Sequence, residues 1–406
     1  MMVLHVSDTH LGAAPYGLTL RYRDVYEAFV EAMEIALREH VDLVVHTGDF
    51  FNSPNPPPDA YMVAAKVLRK LRDRDVKVIA IAGQHDMPKR RGLSPLQVLE
   101  SLGLLKYVAV DEIAHWRIED LEIVAVPYKL RDEISKLKSH GKGILAAHLI
   151  LRETGVPQYD ARLADLPEGF SYIALGDYHK HLELRLSNGT PVVYTGSTEV
   201  LRRDEVTENG RIVTIVDLSK REAHIQKVTL RTPRPWIAGR FTDVKTAIKT
   251  VTERAKQFVS NGLKTPIVYV ELECKNSDLT EFYHVMDNLL KKNLIAYYKV
   301  EILESWSRDF EKVVLEEVGE VTLRSVVREV VGNDILASRI LELLNDPSRE
   351  SARKFVDEIA SNKELKEALF KLLVKTKGRL PTRKTRAVES RNSHSFKKTG
   401  LAKFIR

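Results

Sequence analysis

Five short segments of this 406-residue chain place ionisable or amide side chains directly behind apolar runs. They hold Asp8 and His10 in "SDTH", Asp49 in "TGDF", Gln84, His85 and Asp86 in "GQHD", His148 in "AAHL", and Asp177 and His179 in "GDYH". Carboxylate and imidazole together suit manganese, iron or zinc, and one carboxylate can bridge two ions. Such ions lower the pKa of bound water and bind phosphate ester oxygens, so the chemistry that follows is metal-assisted phosphoester hydrolysis. A single histidine at a strand end is usually a satisfied structural residue, but five such ends in one domain point to one shared site. The only cysteine, Cys274, rules out a cysteine-based zinc cage and an internal disulfide.

Residues so far apart in sequence meet only if a fold collects them. Up to about Leu230, "MVLHVSD", "VDLVVHTGD", "VKVIAIAG", "EIVAVPY", "GILAAH", "YIALGD" and "PVVYTGS" read as strands, several apolar throughout and so buried on both faces. Between them Tyr26, Phe29, Val30, Met33 and Leu37 fall at helical spacing, as do Tyr61, Ala64, Ala65, Leu68 and Leu71. Strands alternating with amphipathic helices predict an α/β layered domain, in which ligands bind outside the carboxyl ends of strands. The five polar segments sit at those ends.

The stretch "LRTPRPWIAGRF", with Pro233 and Pro235, reads as a hinge. Beyond it the pattern predicts a small domain of two helices and at least two strands, ending near Glu304. "DILASRILELLND" and "SARKFVDEIASNKELKEALFKLLVK" then read as helices too short to bury much by themselves. The net charge of +7 is uneven: from Lys375 to Arg406 eleven Lys or Arg oppose only Glu389, a balance of +10 that leaves −3 for residues 1–374. That tail has no apolar period and reads as a disordered basic arm suited to nucleic acid, because dense Lys and Arg release phosphate counterions. No apolar run reaches the length needed to span a bilayer and no leader pattern opens the chain, so an intracellular, cytoplasmic and nucleoid-associated protein with no membrane contact is expected.

The order of the five polar segments resembles the pattern D-x-H, G-D, G-N-H-[DE], a lone H and G-H-x-H of the calcineurin-like metallophosphoesterases over residues 1 to about 230. "SDTHLG", "RYRDVYEAF", "GDFFNSPNPPP", "VVYTGSTE" and "TPRPW" are similar to the Mre branch of that family, the double-strand-break repair nucleases that partner an SMC-like Rad-fifty ATPase. The resemblance implies a layered β-sandwich flanked by helices with two divalent metal ions, manganese being the expected one. It further implies a nuclease domain at 1–232, a small α+β DNA-binding capping domain at 233–305, and an ATPase-docking helical segment at 306–375 before the basic tail at 376–406. DNA, the ATPase and a second copy of the chain, as a homodimer, are the implied partners.

By the same resemblance Asp8, His10, Asp49 and His179 would hold the first metal, and Asp49, Gln84, His148 and Asp177 the second. His85 would stabilise charge on the phosphoryl group or protonate the leaving oxygen, with Asp86 orienting its ring. Two positions depart from the family pattern, which has Asn at 84 and His at 177. Gln84 keeps the amide oxygen but adds about 1.5 Å of reach. Asp177 adds a charge and a hard oxygen, which favours Mn or Mg over Zn. Asn52 stands where the family often has a histidine, and His181 is a minor candidate ligand. The expected function is therefore a Mn-dependent DNA nuclease with an atypical second site, and the alternative is a catalytically weak DNA-end-binding scaffold.

Overall fold

The computed structural model describes residues 1–88, 92–137, 143–220, 222–273, 279–303, 331–345, 349–362 and 364–369. These fall into two compact units, one built on Met1–Ala238 with Phe258–Ile267, the other on Gly239–Gln257 and described residues from Val268 onward. The basic tail lies outside the described residues, as does part of the helical segment expected at 306–375.

In the first unit β1 (Met2–Val6), β2 (Leu43–His46), β3 (Lys77–Ile81) and β4 (Tyr107–Ala109) run parallel. Antiparallel β11 (Ile212–Asp217) and β12 (His224–Thr229) complete a six-stranded sheet in the order β12-β11-β1-β2-β3-β4. A second six-stranded sheet is formed by β5 (Ala114–Ile118), β6 (Leu121–Val126), β7 (Gly143–His148), β8 (Tyr172–Gly176), β9 (Leu182–Arg185) and β10 (Pro191–Tyr194). Its order is β5-β6-β7-β8-β10-β9, with β6, β7, β8 and β10 parallel.

The sheets stack face to face. Val3, Leu43, Val45 and Ile79 of the first meet Ile144, Ala146, Tyr172, Ala174 and Val193 of the second. Alternate residues Leu4, Val6, Val44 and Ala80 turn outward to a second apolar layer. It is supplied by Phe29 and Met33 of α1 (Thr19–Arg38), Leu68 and Leu71 of α2 (Pro58–Arg72) and Leu96 of α3 (Pro95–Ser101). On the far side Leu145, Ile173 and Leu175 are covered by Leu149, Leu151, Leu166 and Phe170. Side chains alternate across a strand, so apolar material on both sides demands the unbroken apolar runs seen in the sequence.

The division between the two units falls inside the proline-containing stretch, between Ala238 and Gly239, and the part of it before that point is fastened within the first unit. Backbone amides of Arg231 and Thr232 donate to Glu31, and Arg234 forms two bonds to Asp24, at 2.6 and 3.0 Å. Asp24 also accepts from buried Arg21 and from Lys264, so its negative charge is matched by three cations. Burial tends to raise its pKa, but Arg234, Lys264 and Arg21 hold it below the usual carboxylate value.

A separate three-stranded sheet, β13-β14-β15, comprises β13 (Trp236–Phe241), β14 (Ile267–Leu272) and β15 (Tyr297–Ile302). Helices α4 (Val244–Ser260) and α5 (Leu279–Lys291) contribute buried Val251, Phe282 and Met286. This agrees with the two helices and at least two strands read from the sequence. Further on, α6 (Asp334–Asn345) and α7 (Arg349–Ser361) share a small core of Leu336, Ile359 and Leu365, joined by an Arg339–Glu358 ion pair of 2.9 Å. Among the described residues no helix is long and apolar enough to cross a membrane.

Candidate metal centre

The carboxyl ends of β1, β2, β3, β7 and β8 come together, so the two sheets contribute three segments and two. Backbone bonds zip the loops: Asp8 N–H donates to the Gly48 carbonyl, and His10 N–H and Leu11 N–H to those of Asp49 and Phe50. The arrangement is strained. Asp8, His10, Asp49 and Asp177 have φ of 51°, 44°, 51° and 84°, a region that non-glycine residues seldom adopt. At about 1–3 kcal/mol each, this strain is comparable with the burial of a few large core side chains at about 1.5–3 kcal/mol apiece.

Donor atoms converge at ligand-like spacing. His10 Nε2 lies 3.2 Å from His179 Nε2 and 3.7 Å from Asp49 Oδ2, and His179 Nε2 lies 3.7 Å from Asp8 Oδ1. His148 Nε2 is 3.7 Å from Asp49 Oδ2 on its other side. Asp49 therefore stands between two histidine groups, and its buried Oδ2 has no hydrogen-bond partner. Three overlapping sets could each hold an ion: Asp8, His10 and His179; Asp8, Asp49 and His148; and His10, Asp49 and His85.

Electrostatics fit the same reading. Burial pushes Asp8 up and Asp49 well above the ordinary carboxylate range, and it holds His10 well below the ordinary imidazole value. Burial also opposes charge on His148 and His179. Nevertheless Asp49, Asp177 and Asp8 push His148 up to about 9, and Glu205 and Asp8 push His179 up to about 9. Protons thus balance a buried cluster of carboxylates, and a divalent cation is the species that can take their place. The orphaned Asp49 oxygen and this donor set fit a metal pair.

Close approach makes two glycines obligatory here. A Cβ on Gly48, whose φ is +102°, would lie 2.1 Å from His148 Nδ1, and a Cβ on Gly83 would lie 2.1 Å from Asp49 Oδ1. Gly48→Ala is expected to cost on the order of 1–3 kcal/mol in backbone strain alone, before any displacement of His148. A thermal melt of the metal-free protein checks it, and an unchanged melting temperature would show that the loop relaxes freely.

Residues 1–202 match the family model of calcineurin-like phosphoesterases. A DNA double-strand break repair protein Mre11 from Sulfurisphaera tokodaii is 30% identical over 377 residues, 88% of this chain and 95% of that protein. The chain belongs to the Mre11 family. The Mre11 of Sulfolobus acidocaldarius is 33% identical over 290 residues, covering 67% of this chain and 75% of that protein. The Mre11 of Methanocaldococcus jannaschii is 28% identical over 384 residues, covering 89% and 99%.

In this Mre11-family chain the structure brings together all nine residues singled out in the sequence, but one acts otherwise than expected. Asp86 does not orient His85. It is fully buried beneath the loop and accepts backbone N–H bonds from Phe50, Phe51 and Gly83, at 3.1, 2.9 and 3.1 Å. Adjacent side chains in the tight turn at Gln84–Asp86 point apart, so Asp86 ties the third loop to the second. His85 is instead oriented by the Asn52 carbonyl, which accepts from its Nδ1 at 3.0 Å, leaving Nε2 3.9 Å from Asp49 Oδ2. His181 pairs with Glu183 at 3.0 Å and belongs to none of the candidate ion-holding groups among the described residues.

Gln84 spans the second position. Its amide donates to Asp177 Oδ1 and its oxygen accepts from His148 Nε2, both at 2.8 Å. His148 also donates Nδ1–H to the Thr47 carbonyl at 2.6 Å, so both ring nitrogens face acceptors. Sequence reasoning did not single out Glu205, whose Oε1 lies 2.8 Å from His179 Nδ1. A glutamate within a charged run carries no sequence signal of burial.

Proposed function

We propose that this Mre11-family phosphoesterase is a manganese-dependent DNA nuclease of double-strand break repair with an atypical second metal site. The observation that carries the reading is the unpartnered Asp49 oxygen, set between His10 and His148 at 3.7 Å from each. Asp8, His10, Asp49 and His179 would hold one ion, and Asp49, Gln84, His148 and Asp177 a second. When bound, such ions supply Lewis acidity and a water of lowered pKa. Asp86 fixes the loop that carries Gln84 and His85. The Asn52 carbonyl keeps a proton on His85 Nδ1 and aims Nε2 at the site, where it can stabilise a phosphoryl oxygen or protonate the leaving one.

The names of its relatives support DNA as substrate, and the +10 tail supports affinity for a phosphate backbone. In this reading residues 1–232 are the nuclease domain, 233–305 the DNA-binding cap, 306–375 the docking segment for a Rad-fifty-type ATPase and 376–406 the basic arm. The chain would act as a homodimer. A second reading, a DNA-end-binding scaffold with little turnover, draws support from the Gln84 amide, which fills the second position with its own hydrogen bonds.

Labelled single-stranded and duplex DNA incubated with the full chain decide between the two. Cleavage that requires Mn and stops with chelator is expected. Tight DNA binding without cutting at any Mn concentration would sink the nuclease and leave the scaffold.

A further inference from the structure

The geometry points to Glu205 as the residue that positions His179, working with Arg211 as a clamp on both the ring and the backbone of that histidine. Glu205 is 2% exposed and follows β10 in a loop with no ligand residue of its own. Its Oε1 accepts from His179 Nδ1 at 2.8 Å, and its Oε2 accepts from Leu201 N–H at 2.7 Å. Arg211, 3% exposed and immediately before β11, donates from Nη1 to the His179 carbonyl at 2.7 Å and to Ser197 Oγ at 3.2 Å, and from Nη2 to the Glu205 carbonyl. The ring and the peptide of His179 are thus tied to the same pair of buried residues.

The clamp has a chemical consequence at the other end of the ring. A histidine that gives its Nδ1 proton to a carboxylate keeps its Nε2 free to ligate, and the partner raises its basicity and fixes its plane. His179 Nε2 is the atom that faces His10 Nε2 at 3.2 Å and Asp8 Oδ1 at 3.7 Å. Of the other histidines of the site, His148 and His85 are held by the uncharged carbonyls of Thr47 and Asn52, and the buried His10 Nδ1 has no hydrogen-bond partner. Among these four rings Glu205 gives His179 the only charged partner at Nδ1, so it is placed to set affinity at the first position rather than the second. A purely structural role competes with this, because Glu205 also closes the 201–205 turn through Leu201 N–H. Arg202 shares its Oε1 at 3.2 Å, but its side chain is 70% exposed and such pairs contribute little.

The inference rests on the proposed metal reading, and the test separates the two. Calorimetric Mn titration of the full chain is compared for wild type, Glu205→Ala, Glu205→Met and Glu205→Gln, with a metal-free crystal structure of each folded variant. Alanine and methionine are expected to weaken the tighter Mn by about 10- to 100-fold, as loss of an outer partner of a ligating histidine does. Methionine keeps the side-chain volume and so guards against simple misfolding. Glutamine should recover most of the loss, since its amide oxygen can still accept from Nδ1, and Arg202→Ala should stay within about fivefold of wild type. In the metal-free structures of the first two variants the His179 ring should leave its 3.2 Å approach to His10. Wild-type Mn affinity in folded Glu205→Met, or a drop in melting temperature with the ring still in place, would overturn the clamp. A wild-type chain that binds no Mn would instead overturn the metal reading, while the crystal structures would still decide whether Glu205 sets the ring.

Discussion

Replacing His85 with alanine is expected to slow DNA cleavage by about 10²–10⁴-fold while leaving Mn binding as it is in wild type. The prediction separates two roles the geometry allows. His85 Nε2 is 3.9 Å from Asp49 Oδ2, and His85, His10 and Asp49 are close enough to share an ion. Yet its side chain is 43% exposed, against 0% to 13% for His148 and His179, and it lines the open cavity beside Asn52 and Gln84. A group that handles a proton or a developing charge belongs at such a rim, where substrate can reach it. A ligand belongs in the buried cluster behind it. Asp8→Ala is the contrasting case: cleavage should vanish together with the tighter Mn site. If His85→Ala loses Mn as Asp8→Ala does, His85 is a ligand; if it cuts DNA normally, the assigned site is wrong.

The sequence made β1, β2, β3, β6, β7, β8 and β10 and the five polar segments legible for one physical reason, though it missed the equally buried interior strand β11. Strands covered on both faces must be apolar throughout, so a polar residue at the end of such a run stands out. Edge strands lack that contrast: β5, β9 and β12 expose every second or third residue, and their Trp116, Glu183 and Lys227 positions read as ordinary loop sequence. Direction within a tight turn is equally hidden, which is why Asp86 was expected beside His85 although it faces the backbone of the neighbouring loop. Nothing local in the proline-rich stretch after Leu230 reveals that Arg234 pairs with Asp24, 210 residues away. Glu205 is hidden in the same manner: only the fold shows that it meets His179, 26 residues earlier.

Gln84→Asn is expected to tighten the weaker of two Mn sites by about 10- to 100-fold, read by calorimetric titration with DNA cleavage followed in the same samples. In the wild-type chain the Gln84 amide closes a ring, donating to Asp177 Oδ1 and accepting from His148 Nε2 at 2.8 Å each. A cation that takes His148 Nε2 and the Asp177 carboxylate must open both contacts. The glutamine oxygen can turn to the ion and recover part of the loss, so the net penalty is about one hydrogen bond to a charged partner, about 1.5–3 kcal/mol. That energy corresponds to the stated factor. Asparagine is one methylene shorter, about 1.5 Å, and cannot span the same gap, so Asp177 is released as a ligand. The first position has no contact with Gln84 in the hydrogen-bond pattern and should bind Mn as before. Two ions on wild type with measurable cutting, the second weaker and tightened by asparagine, would make Gln84 and Asp177 a working variant site. One ion and no cutting on wild type, both restored by asparagine, would instead identify a DNA-binding scaffold built on a nuclease fold. Unchanged affinities in Gln84→Asn would mean that the ring does not oppose the second ion at all.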